Sequence, residues 1–150
     1  MANTYVAIAT TTVGSGGASS IDFTSIPQTY TDLYILLSGR TSNAAIGDDF
    51  YLQFNGSTTS YTNRYLRGDG VAATSGNSAA WIGVYGVISG ANSTASTFGN
   101  TGIYIPNYTS TNNKSISQDG VAESNTGSSN NRAIALVAGL YHPASNVAIT

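Results

Sequence analysis

The sequence predicts an all-β fold, a two-sheet antiparallel β-sandwich of the jelly-roll type, and three observations carry that prediction. Short apolar runs with period-two alternation recur along the 150 residues. Clusters of Gly, Asn, Asp and Ser separate them, and no helical stretch intervenes between successive runs. The chain also holds 20 Ser, 19 Thr and 14 Asn, together 53 of 150 residues. These short polar side chains compete with helical backbone hydrogen bonding and favour turns and strand faces. Charged residues make up 8%, against about 25% in an average domain, so few are left to solvate helix faces. A closed barrel is the alternative architecture.

Taken in order, Thr4–Ala9 alternates and reads as a first strand before the loop Gly14-Ser15-Gly16-Gly17. Ile21-Asp22-Phe23 reads as a short second strand, ended by Ser25-Ile26-Pro27, where proline removes a ladder donor. Asp32–Arg40 is the clearest strand: Leu33, Ile35 and Leu37 share one side, Tyr34 and Leu36 the other. Apolar residues on both sides predict a central position. Phe50–Phe54 follows as its antiparallel neighbour, and Asn55-Gly56 is a strong turn signal.

Ala80–Ile88, Gly102–Ile105 and Arg132–Tyr141 are three longer apolar strands, with Ser115-Ile116-Ser117 a weaker candidate between them. The run 132–141 could also be read as a helix, but its alternating small residues and its glycine favour a strand. Val147–Thr150 begins a further strand, either an edge strand or the start of one that continues. A chain of this length suits one domain, residues 1–150, burying roughly two-thirds of its unfolded surface.

The composition excludes several classes of function. With 10 Tyr, 4 Phe and 1 Trp the chain is not a disordered polar tract. A net charge of −2 and five scattered cations (Arg40, Arg64, Arg67, Lys114 and Arg132) provide no stripe for phosphate neutralisation, so no nucleic-acid partner is expected. Cysteine is absent, which removes disulfides, zinc thiolates and thiol catalysis. No apolar run approaches the ~18 residues that cross a bilayer, and the first twenty residues lack a signal-peptide pattern, so a soluble chain without a membrane partner is expected.

Catalytic constellations are equally sparse. The single histidine, His142, precedes Pro143 at a strand exit, a poor position for the base of a hydroxyl nucleophile. The acidic set is Asp22, Asp32, Asp48, Asp49, Asp69, Asp119 and Glu123, each at a strand boundary or turn where Asp is ordinary. Asp48-Asp49 is the one adjacent pair and reads as a solvated loop in preference to a cation site. The segment 14–20 lacks the lysine and helix of a phosphate loop. Arg67-Gly68-Asp69-Gly70 contains an integrin-type tripeptide but fits a Gly-Asp-Gly turn better. Four glycosylation sequons, at Asn55, Asn92, Asn107 and Asn113, match the number chance would give, about 3.6 for 14 Asn with this Ser/Thr content. The chain is therefore read as non-enzymatic, with no cofactor and no metal.

Binding is the remaining use, and tyrosine suits it, since its ring offers rigid contact area and a polar tip. Tyr61, Tyr65 and Tyr108 stand in polar, loop-like context, and with Arg67 and Asp69 they are the candidate binding residues on a loop surface. Packing beneath a long loop is at least an equal reading for each ring.

The run from Ser20 to Leu33 (SIDFTSIPQTYTDL), followed by Phe54-Asn55-Gly56 and by Leu66-Arg67-Gly68-Asp69-Gly70, resembles a family of small virion proteins of tailed bacteriophages, a pattern also found at the ends of tail fibres. The likeness spans most of residues 4–150. It implies a structural component of the virion, assembled in the bacterial cytoplasm and exposed on the finished particle. It also implies association with copies of itself, a homotrimer being favoured, and with capsid or tail proteins. Capsid decoration is the first expectation, and a tail-fibre or appendage domain that binds host-surface glycans is the second. Family members continue past the position of Thr150 with another strand, which this sequence lacks.

Overall fold

The computed structural model describes residues 5–79, 83–125, 132–145 and 147–150. Within them the chain is all-β, with eight strands: β1 (Leu33–Gly39), β2 (Gly47–Leu52), β3 (Tyr61–Gly68), β4 (Ala73–Ser78), β5 (Val84–Ser89), β6 (Gly99–Ile105), β7 (Lys114–Glu123) and β8 (Arg132–Tyr141). Six form one antiparallel sheet in the order β1-β6-β7-β8-β3-β4, and β2 and β5 pair antiparallel as a second. β5 packs across β6, β7 and β8, so the small sheet lies on one face of the large one. A two-sheet antiparallel sandwich is thus formed, with its strands divided six and two where a jelly roll divides them four and four.

Period-two alternation explains which side chains fill the space between the sheets. Ile103 and Ile105 of β6, Ile116 of β7, Ala135 and Val137 of β8 and Tyr61 of β3 all point towards the small sheet, the two-stranded β2–β5 ribbon, and are at most 3% exposed. Each such Ile contributes about 1.5–3 kcal/mol by leaving water. Phe54, Tyr61 and Tyr141 form an aromatic group, with Tyr61 and Tyr141 stacked at 4.9 Å between ring centroids. Phe50 and Leu52 of β2 close this core from above.

Cross-strand glycines make room for the larger rings. Gly86 faces Phe50 in the β2–β5 register and Gly76 faces Tyr65 in β3–β4; a Cβ at either would collide with its partner's ring.

Several segments depart from the sequence reading. Residues 5–9 and 21–23 are not strands, and Thr4 lies outside the described residues. Alternation marks an extended chain, but a strand also needs a ladder. In residues 5–25 the one backbone–backbone bond among the described residues is Gly17 N–H to the Gly14 carbonyl, at 3.0 Å. β1 is not central but the sheet's edge, paired on one side with β6. Its second apolar side, Tyr34 and Leu36, is exposed on an open face of the sheet. β1 and β2 are not neighbours either: they belong to different sheets. The Asn55-Gly56 turn is real, with φ of 52° and 69° and a Ser57 N–H to Phe54 carbonyl bond of 2.9 Å, but it leads from one sheet to the other. Ala80, Trp81 and Ile82 of the expected strand 80–88 lie outside the described residues.

Val147–Thr150 is likewise held without being a strand. The Asn55 amide donates to the Ala148 carbonyl at 2.8 Å and accepts from Thr150 N–H at 3.0 Å, imitating one rung of a ladder. Gln28 donates to the Ile149 carbonyl at 2.8 Å, and Ile149 itself is 3% exposed in the core.

Candidate functional site

The candidate binding residues divide by burial. Tyr61, Tyr65 and Arg67 share the ribbon-facing side of β3 by alternation, so the loop expected there is a strand. Tyr61 is 1% exposed. Its hydroxyl accepts from Phe54 N–H at 2.8 Å and donates to the Ser57 carbonyl at 3.2 Å, and burial pushes its pKa up to about 12. Tyr65 and Arg67 are half-buried.

Tyr108, in the turn after β6, is 0% exposed, and its hydroxyl bonds to the Pro27 carbonyl. Tyr61 and Tyr108 are therefore core residues and offer no ring to a ligand. The loop-surface assignment is corrected for both: turn-like neighbours in sequence do not reveal which rings fold inward.

Asp69 behaves as the turn reading expects. Its carboxylate accepts from Ala72 N–H at 2.8 Å and Val71 N–H at 2.9 Å, and these bonds hold its pKa below the ordinary carboxylate value. Gly70, with φ of 87°, completes the β3–β4 turn.

Asp48 and Asp49 sit on β2, not in a loop. Asp48 accepts from Thr41 Oγ1 at 2.7 Å and Asn43 Nδ2 at 3.2 Å. Partial burial would raise its pKa, but these bonds and one from the Asp49 backbone outweigh it, and the net shift is downward. Among the described residues no three His, Cys, Asp or Glu side chains converge as a metal site. No helix of these residues is long and apolar enough to cross a membrane.

The structure also presents a broad exposed surface that was not among those candidates. The small sheet covers one side of the six-stranded sheet, and the other side is open. On it stand Leu36 at 77% exposure, Ile134 at 63%, Leu136 at 57% and Leu66 at 52%, with Tyr34, Tyr104 and Val121 each above 40%. They come from β1, β8, β3, β6 and β7, so the apolar character is spread across nearly the whole sheet. A shallow depression of about 700 Å³ runs between Tyr34, Leu36, Asn100, Val121, Ile134 and Leu136. Its lining contains one carboxylate, Asp119, and no second titratable side chain except Tyr34. Paired acid and base groups, which hydrolytic chemistry needs, do not meet there.

The rim near β1 is organised by Asp32. Its carboxylate accepts from the Tyr104 hydroxyl and from Asn107 N–H, both at 2.8 Å. The first of these bonds, assisted by slight desolvation, raises the Tyr104 pKa. Tyr34 lies beside them with its hydroxyl over Gly102, where a Cβ would not fit. Tyr5 packs its ring against Tyr34 at 6.1 Å between centroids.

The open face was visible in the sequence as two-sided apolar runs, Leu33–Leu37 and Ala133–Val137. In the run 32–40 two-sided apolarity predicts a central strand; the structure instead places β1 at the sheet edge, with Tyr34 and Leu36 exposed on the open face.

No family model matches the chain, and neither a curated protein nor a solved structure shows significant similarity to it.

Proposed function

We propose that this protein is a non-enzymatic structural component of a bacteriophage virion, exposed on the particle surface, and that it decorates the capsid. The observation that carries the reading is the open apolar face of the six-stranded sheet, a broad surface suited to packing against protein. Isolated apolar side chains are ordinary on a protein surface, but a contiguous patch of this kind marks an interaction site. The resemblance of residues 20–33, 54–56 and 66–70 to small virion proteins supplies the particle, and the low charge of the chain suits close packing.

The alternative, a tail-fibre domain that binds host glycans, drew on Tyr61, Tyr65 and Tyr108 as exposed rings. Two of these are inside the core, so the decoration reading has the better support. Quantitative mass spectrometry of particles whose genome encodes the chain tests it. Hundreds of copies per particle are expected; a handful, or none, would rule out decoration.

A further inference from the structure

The chain carries two unsatisfied surfaces that complement each other. The first is the open sheet face. The second is the arm formed by residues 5–25, in which every residue is exposed. The arm includes Tyr5, Val6, Ile8, Val13, Ile21 and Phe23, with exposures from 39% to 77%. Among the described residues it has one backbone–backbone hydrogen bond of its own, at the Gly14–Gly17 turn, which separates two legs. An extended apolar segment exposed along its whole length gains little from burial to offset the entropy of ordering it, and covering its side chains would supply that gain. The arm is fastened at its C-terminal end, where Gln28 and the Pro27 carbonyl bond to Ile149 and Tyr108.

We infer that the arm of one copy lies on the open sheet face of a second copy of this chain. Three features support this choice of partner. Both surfaces are apolar and belong to the same chain: six large apolar side chains on the arm and seven on the sheet face are each at least 39% exposed, and apolar surface gathered in this way marks an interface.

The dimensions also agree. A nine-residue leg such as Tyr5–Val13 extends to about 30 Å, and the six strands of the sheet span about 24 Å at ~4.8 Å per step. Low charge agrees as well: the arm has a single acidic side chain, Asp22, and the depression on the face a single one, Asp119, so neither surface requires a charged partner. The arm already meets the rim of its own sheet through Tyr5 and Tyr34, yet Leu36, Ile134 and Leu136 remain bare. Exchange between copies covers both surfaces in one step.

This inference rests on the proposed function in one respect, that the open face is an assembly surface. Sedimentation equilibrium of the full chain tests it, together with two variants: one with residues 1–24 removed, and L36D/L136D, each checked for folding by circular dichroism. The full chain is expected to sediment well above 15.4 kDa at micromolar concentration. Each variant is expected to associate at least tenfold more weakly while keeping its β-sheet spectrum. If L36D/L136D does not fold, L36T/L136T, which retains β-forming residues, replaces it with the same expectation.

A full chain that stays monomeric at 100 μM would overturn the inference and assign the face to a different protein. So would an oligomer that neither variant weakens. A monomer found at hundreds of copies per particle would remove arm exchange and leave the proposed function standing; an oligomer absent from particles would do the reverse.

Discussion

Gln118 offers the sharpest test of how the core was assembled. It lies on the ribbon-facing side of β7, 3% exposed, and neither its amide nitrogen nor its amide oxygen has a hydrogen-bond partner among the described residues. The amide rests against Gly86 of β5, whose missing side chain leaves the space it occupies. A buried polar group without a partner costs about 1–3 kcal/mol, and methionine has nearly the same length and volume without that cost. Gln118→Met is therefore expected to stabilise the protein by about 1–3 kcal/mol, raising Tm by roughly 3–10 °C for a chain of this size.

Thermal and urea unfolding followed by circular dichroism would measure this, with the urea m-value expected to stay constant because the surface exposed on unfolding hardly changes. Gln118→Glu should move the other way, since it buries an unpaired charge. The reasoning fails if Gln118→Met leaves Tm unchanged or lowers it: the amide would then be satisfied in a way the packing does not show.

Three further perturbations probe other parts of the fold. Gly86→Ala places a methyl group inside the Phe50 ring and against Gln118, and should cost about 1–3 kcal/mol; chemical denaturation should show part of that loss restored by adding Phe50→Leu. Arg40 donates to four carbonyls, of Ala91, Ser93, Thr94 and Thr97, at 2.8–3.1 Å, so Arg40→Ala should destabilise by about 2–4 kcal/mol, with amide exchange accelerating first in residues 90–98. Tyr61, with its folded pKa raised to about 12 by burial, favours folding fully while pH stays below the ordinary value of 10, and that contribution is lost as pH rises from 10 towards 12. The alkaline decline of stability measured for Tyr61→Phe should therefore be shallower than for the native chain.

How much of this was legible in the sequence depends on what each strand faces. β8 spans the same residues, 132–141, that its apolar run marks, and β1 differs from its run by one residue at each end. β3 and β4 escaped notice because their inward positions carry polar atoms. Asn63 is fully buried on β3, its amide donating to the Gly83 carbonyl at 3.1 Å, and β4 (Ala73–Ser78) has no large apolar residue at all.

β7 shows the same effect. Lys114 is 1% exposed, bonded to the Ser110 and Asn112 carbonyls at 2.5 Å, and desolvation lowers its pKa. A lysine and a glutamine flanking Ile116 on the inward side hide a ten-residue strand from a hydrophobicity pattern. The opposite error occurred at residues 5–9, 21–23 and 147–150, where alternation is present but no neighbouring strand edge is. Pairing is a property of distant residues, and local periodicity does not contain it. The candidate tyrosines failed for a related reason: at Tyr61 and Tyr108, polar neighbours surround rings that complete the core.

Amide hydrogen exchange of the full chain, compared at 1 μM and at several hundred micromolar, tests the central claim most directly. The strands β7 and β8 are paired on both sides within the sheet, whereas among the described residues the segment 5–25 has one backbone–backbone bond, from Gly17 N–H to the Gly14 carbonyl. If the open face receives the arm of another copy, protection should appear with rising concentration in residues 5–25, while the interior of β7 and β8 stays unchanged. Arm amides that exchange at the same fast rate at both concentrations would contradict the account.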